Sequence, residues 1–153
     1  YRNYNTKYKE SLIYEIKRFC KSKHIKFYLS NNIDLAVKYR LDGIYVPSFD
    51  KKLNIFKAKI KGLEILGSAH NIREINEKRR QCVNLIFLTP IFKVNKSKSY
   101  LDIIKFNNLS KLNNYSSVAL GGINSKNINK IKILNCLGFG SISYIKESLM
   151  KIK

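Results

Sequence analysis

An α/β fold built on a parallel sheet is the class the sequence predicts, and three observations lead there. Short apolar runs rich in β-branched and aromatic residues alternate with helical stretches about every 20–25 residues. Runs such as Val83–Leu88 and Val118–Leu120 are almost continuously apolar, as a strand covered on both faces must be. The second of these ends in Gly121-Gly122 and leads to a helix start at Ser125, where two residues without Cβ and a set of N–H groups favour an approaching anion. Repeated βα units without a dinucleotide glycine fingerprint favour a (β/α)8 TIM barrel over an open sheet. A closed barrel takes eight strands and typically ~250 residues. The 153 residues show six strands and a stub at Tyr1. One TIM-barrel domain over 1–153, lacking its first βα unit, is therefore expected.

The elements follow in order. Glu10–Lys21 places Leu12, Ile13, Ile16 and Phe19 at helical spacing. Ile25–Leu29 is a short β-branched and aromatic run, hence a strand, with His24 in the link before it. Ser30-Asn31-Asn32 makes a turn and cap for a helix over Ile33–Tyr39. Strand Gly43–Val46 leads into the loop Pro47–Asp50, and Leu53–Lys61 is helical. Leu63–Gly67 is a strand, and Ser68–Asn71 caps a helix over Ile72–Gln81. Strand Val83–Leu88 ends at Thr89-Pro90, and a basic polar loop runs over Lys93–Ser99. A helix over Asp102–Leu112, strand Ser117–Leu120 and a helix over Asn127–Leu134 come next. Gly140–Ile142 is a last short strand and Ile145–Lys151 a closing helix.

Charge narrows the partners. Thirty Lys and Arg against ten Asp and Glu give +20, a balance that attracts anions. The lysines are spread from end to end, and no helix-turn-helix, zinc finger or aromatic–glycine RNA motif accompanies them, so nucleic-acid binding is set below small phosphorylated substrates. No apolar run approaches the ~20 residues that span a bilayer, and the opening residues carry no leader pattern. Cys20, Cys82 and Cys136 are odd in number and lack metal-ligand spacing, which fits a reduced, cytoplasmic setting.

In a barrel of this kind the chemistry sits on the loops after the strands. Those loops carry Arg2, Ser30-Asn31, Asp50, Ser68–His70, Lys93–Lys98, Gly121-Gly122 and Ser143, a set rich in anion ligands. Their order resembles thiamine phosphate synthase and its relative, the TenI thiazole tautomerase. Gly121-Gly122-Ile123 is similar to the family's Gly-Gly-Ile, and Ile142-Ser143 falls where the family has an Ile-Ser. Ile33-Asp34-Leu35-Ala36, Asp42-Gly43-Ile44, Gly67-Ser68-Ala69-His70 and Thr89-Pro90-Ile91-Phe92 resemble further family segments in the same sequence order.

The resemblance implies a transferase of the thiamine-phosphate diphosphorylase type. Such an enzyme joins hydroxymethylpyrimidine diphosphate to a thiazole phosphate with Mg2+ and releases pyrophosphate. It implies that Arg2 grips the diphosphate, Asn31 lies on the diphosphate side, Ser68 donates to a diphosphate oxygen and Asp50 holds Mg2+. Gly121, Gly122, Ile142 and Ser143 would hold the thiazole phosphate, with Lys96 or Lys98 standing in for a family lysine. It also implies a homodimer. Departures are visible: Asn31 replaces a second metal carboxylate, Tyr4 replaces a lysine, and Pro90 stands where the tautomerase has a histidine. The bland readings make Asp50 a loop cap, His70 a loop hydrogen-bonder and Lys93, Lys96 and Lys98 a solvated run. A tautomerase-like or non-catalytic thiazole-phosphate binder, and a basic nucleic-acid binder, are the alternative functions.

Overall fold

The computed structural model describes residues 1–3, 7–52, 55–95, 97, 99–112 and 116–150. It is an α/β chain in which parallel strands alternate with helices, as the apolar periodicity predicts. The chain divides into two compact units, Tyr1–Gly67 with Glu77–Asn84, and Ser68–Asn76 with Leu85–Lys153.

The first unit begins with α1 (Glu10–Ser22), β1 (Tyr28–Ser30), α2 (Ile33–Lys38), β2 (Gly43–Val46) and α3 (Phe56–Ile60). It takes the first four residues of β3 (Glu64–Ala69) and the end of α4 (Ile72–Arg80). β1 pairs with β2 and β2 with β3, all parallel, with Leu29 opposite Ile44 and Ile44 opposite Ile65. These three residues are buried together with Ile13 and Val46, so the core lies on the strands as their double-faced apolarity requires. An Asx residue before a strand closes the ladder at its amino end twice. Asp42 Oδ2 accepts from the Phe27 N–H at 2.7 Å, and Asn84 Oδ1 from the Ile65 N–H at 2.8 Å. Tyr1 donates to the Tyr28 carbonyl and accepts from the Ser30 N–H, so it lies along β1 as the stub of a further parallel strand.

The second unit holds the end of β3, the start of α4, β4 (Leu85–Leu88), α5 (Asp102–Leu112), β5 (Ser116–Leu120), a 3₁₀ helix over Ile128–Ile133, β6 (Gly138–Gly140) and α6 (Ser143–Met150). β4 pairs with β5 and β5 with β6, again parallel. Phe106 of α5 is fully buried with Ile86, Leu88 and Ala119 in this unit's core.

Several expected boundaries move, each for a local reason. Ile25 is exposed rather than in a strand, because its N–H bonds back to the Cys20 carbonyl and closes α1. β4 likewise starts only at Leu85, since the Val83 N–H closes α4 on the Lys78 carbonyl. Ser68 and Ala69 continue β3 instead of capping α4. Asn71 caps it, accepting from the Glu74 N–H at 3.0 Å. The last strand is Gly138–Gly140, not Gly140–Ile142, with Gly138 opposite Val118. Ser125 does not cap a helix. Asn124 and Asn127 bond the surrounding backbone, and the helix that follows is a 3₁₀ segment over Ile128–Ile133. Leu53 and Asn54, at the expected start of α3, lie outside the described residues.

His24, Arg40 and Cys82 each follow a helix end with φ of 53°, 47° and 55°, the left-handed region where glycine is usual. An L-residue there costs about 1–2 kcal/mol, partly offset by glycine's greater chain entropy of about 0.5–1 kcal/mol. Arg40→Gly is therefore expected to raise the unfolding free energy by about 0.5–1 kcal/mol. Urea denaturation of the two chains measures it, and a loss of stability contradicts the assignment of strain.

Candidate active site

Each strand delivers one or two polar residues at its carboxyl end, and the two units are taken separately. In the first, β1 ends at Ser30, and the Asn31 N–H continues the ladder to the Tyr45 carbonyl at 3.0 Å. Asn31 holds φ 56°, which asparagine tolerates better than most residues. β2 ends at Val46, and the turn Pro47–Asp50 closes through the Asp50 N–H on the Pro47 carbonyl at 3.1 Å. Asn31 and Asp50 line one cleft of about 280 Å³, together with Asp34, Lys52 and Lys57. The structure thus brings together two residues placed on one side of the chemistry by the sequence. Arg2 lies just after Tyr1, at the same end of β1 as Asn31, and is exposed.

Asp50 is only 7% exposed. Its Oδ1 accepts from the Lys52 N–H at 2.9 Å, while Oδ2 has no hydrogen-bond partner among the described residues. The carboxylate is therefore half cap and half open, and the open oxygen borders the cleft. Among the described residues no three His, Cys, Asp or Glu cluster as a metal cage. One carboxylate oxygen beside a neutral amide suits a hard cation that keeps its remaining ligands from water and phosphate, which is how Mg2+ is usually held.

Sequence reasoning missed Lys52 and Lys57 on this cleft, although Lys52 is two residues from Asp50. Lys57 is paired with the exposed Asp34 at 3.0 Å. Asp34, in the first turn of α2, thus brings a second carboxylate to the same cleft.

In the second unit the two glycines do something other than face a ligand. Gly121 and Gly122 have φ of 93° and 74°. A Cβ on Gly121 would lie 2.8 Å from Pro90 Cβ, and one on Gly122 would lie 2.6 Å from the Phe92 carbonyl oxygen. The segment after β4 is laced to them, with the Ile91 N–H on the Leu120 carbonyl and the Phe92 N–H on the Gly121 carbonyl. The close approach that their missing Cβ atoms permit is made by the chain's own Pro90–Lys93. The Ser141 hydroxyl donates to the Ile123 carbonyl at 2.6 Å and accepts from the Tyr144 N–H, so it ties the first turn of α6 to the residue after Gly122. Ser143 opens that turn, and Ile142 before it is 74% exposed. Gly122, Ile142 and Ser143 are thereby neighbours through Ser141, which the sequence reading passed over. The Ser125 N–H, at the expected helix start, donates to Glu147 Oε2 at 2.9 Å.

Ser68 is buried near the end of β3, and its hydroxyl has no hydrogen-bond partner among the described residues. His70 follows, its Nδ1 2.7 Å from Glu74 Oε2, and is a loop hydrogen-bonder as its bland reading held. Burial pushes the Glu74 carboxyl up, but hydrogen bonds from the His70 ring and main chain, its charge and the Asn71 amide outweigh that and hold it below the usual range. Lys96, Lys98 and Tyr4 lie outside the described residues.

Parallel strands alternating with helices define the chain as an α/β protein. Residues 1–145 match the thiamine monophosphate synthase family (TMP-TENI), and the chain belongs to that family. The thiamine-phosphate synthase of Prochlorococcus marinus is 31% identical over 154 residues, covering 91% of this chain and 44% of its own. That of Staphylococcus epidermidis is 26% identical, covering 92% of this chain and 68% of its own. A thiamine phosphate pyrophosphorylase from Pyrococcus furiosus shares the fold, with a TM-score of 0.75 and 18% identity over 90% of this chain and 69% of that one. The chain thus spans less than half of the Prochlorococcus relative.

Two outcomes follow from this geometry. Gly122→Ala puts a methyl against the Phe92 carbonyl in a left-handed backbone and is expected to destabilise the chain by about 2–4 kcal/mol, read by thermal or urea unfolding. Glu74, held below its ordinary value, contributes stability that is present above the usual carboxylate range and is lost as pH falls through the lowered folded value. Glu74→Gln should flatten the acid limb of the stability–pH curve below about pH 4.5 and leave its slope near neutrality unchanged.

Proposed function

We propose that this chain carries out, or forms the larger part of a protein that carries out, thiamine phosphate synthesis. Hydroxymethylpyrimidine diphosphate and a thiazole phosphate are joined, and pyrophosphate leaves. The observation that carries the proposal is the cleft shared by Asn31 and Asp50 at the strand ends, in a chain matched by this family over residues 1–145. A complete (β/α)8 barrel, of which the strands here are a part, is the frame proposed for it.

The chemistry assigns work to each residue. Departure of pyrophosphate leaves a stabilised pyrimidine cation, so the demand on the protein is to neutralise the diphosphate and to aim the thiazole nitrogen. Arg2 and Lys52 supply positive charge on the diphosphate side, and Arg2 can do so through two parallel N–H donors. Asp50 Oδ2 and the Asn31 amide oxygen would hold Mg2+, whose charge helps to neutralise the leaving group. Ser68 donates to a diphosphate oxygen. Gly121, Gly122, Ile142 and Ser143 keep the thiazole phosphate at the start of α6, where main-chain N–H groups favour an anion. Lys96 adds a further cation from the loop after β4. Cytoplasmic location, pairing of two copies and no use of nucleic acid or membrane complete the proposal.

Incubating the chain with both substrates and Mg2+ should release one pyrophosphate per coupling. Thiazole phosphate binding without pyrophosphate would instead support the non-catalytic relative. Asp50→Asn is expected to lower turnover on the order of 100-fold, with the KM for thiazole phosphate little changed, as measured by steady-state kinetics. Equal turnover in the two chains would remove Asp50 from the reaction.

A further inference from the structure

Lys78 is the largest fully enclosed side chain among the described residues, with no exposure at all. An ammonium taken out of water is costly unless its protons are used. Here they are: Nζ donates to the Asp50 carbonyl at 2.7 Å and to Gln81 Oε1 at 2.8 Å. Gln81 in turn donates from Nε2 to the Asp50 carbonyl at 2.9 Å and to the Lys52 carbonyl at 2.8 Å. Glu77, on the same helix, meets the Lys51 ammonium at 3.4 Å. The end of α4 thus grips three successive residues of the loop after β2. Room for the Lys78 stem comes from Gly67, where a Cβ would stand 3.1 Å from Lys78 Cδ and 2.9 Å from Val83 Cγ1.

The grip acts on the carboxylate through the backbone. Gln81 fixes the Lys52 carbonyl, and the Lys52 N–H holds Asp50 Oδ1 at 2.9 Å. Two donors on the Asp50 carbonyl fix the turn from the other side. Rotation of the carboxylate away from the cleft would break its bond from the Lys52 N–H, which the bonds to the Asp50 and Lys52 carbonyls hold in place.

We propose that Lys78 and Gln81 are positioning residues that hold the Asp50 carboxylate for a divalent cation bound with a diphosphate. The proposal rests on the metal-binding role given to Asp50 above. Neither side chain touches the ligand. Their contribution is to keep one carboxylate oxygen pinned and the other presented.

The test uses the full chain with Mn2+ as the spectroscopic probe and inorganic pyrophosphate as its co-ligand. Gln81→Met keeps the volume and removes both amide donors, so packing is preserved while the clamp is lost. Mn2+ binding in the presence of pyrophosphate, followed by electron paramagnetic resonance, is expected to weaken about tenfold in Gln81→Met and by at least as much in Lys78→Met. The KM for thiazole phosphate should stay the same. Affinities within twofold of the unsubstituted chain in a folded Gln81→Met, alongside lost binding in Asp50→Asn, overturn the clamp and leave Asp50 as the ligand. Unchanged binding in Asp50→Asn overturns the metal reading and the clamp together. Should Lys78→Met fail to fold, Gln81→Met decides.

Discussion

Asn31, Asp50, Gly121 and Gly122 lie just where a parallel strand ends, and that is the constraint on which the rest depends. A strand's N–H and C=O groups are satisfied by its neighbours, but the loop after it leaves the sheet with the same obligation unmet. At Asp50 the carbonyl is answered by Lys78 of α4 and by Gln81 just after it. At Ile123 it is answered by the Ser141 hydroxyl, and at Leu120 and Gly121 by the N–H groups of Ile91 and Phe92. Backbone satisfaction and site construction are one process here, because the side chains that complete the hydrogen bonding also decide where the loops stand.

This explains which features could be read from the sequence. Period and composition gave strands Gly43–Val46 and Ser116–Leu120 and helix Asp102–Leu112 nearly to the residue, since these depend on local apolar patterning. Boundaries failed where a helix closes through backbone bonds that leave no compositional mark, as at Ile25 and Val83. Four residues after helices carry positive φ, and only Gly62 is the glycine that signals such a stop; His24, Arg40 and Cys82 are not. The shift of β6 to Gly138–Gly140 has a related cause, because two glycines flanking one phenylalanine read as a linker when the neighbouring strand is unknown.

Within the candidate site, Asp50 and Asn31 were legible from their place after strands, and the cleft they share agrees with it. The support behind them was not legible. Lys78 and Gln81 read as the polar face of an amphipathic helix, in a segment with basic residues on either side. Only the three-dimensional packing of α4 against the loop after β2 turns that face inward. The glycine pair was legible as a place of close approach, but sequence could not say by what. Pro90 and Phe92 belong to a separate stretch of sequence, and only the fold presses them on Gly121 and Gly122.

The Asp50 cleft carries Asp50 and Asp34 against Lys52 and Lys57, with Lys57 paired to Asp34, and the Lys78 ammonium bonded to Asp50's own carbonyl tips the balance to the cation side. Two unit charges about 6 Å apart interact by roughly 3 kcal/mol at an effective dielectric of 20. A bare divalent cation approaching Asp50 would therefore meet repulsion from Lys52 and Lys78 that the Asp50 carboxylate offsets only in part. A diphosphate meets the same lysines as attraction, and it carries oxygens that can complete the coordination of a hard cation. Under the proposed function, affinity for the metal and affinity for the diphosphate would be coupled in such a site. The loss of one acidic group is then no reason in itself to expect a dead site, provided the remaining carboxylate keeps a fixed orientation.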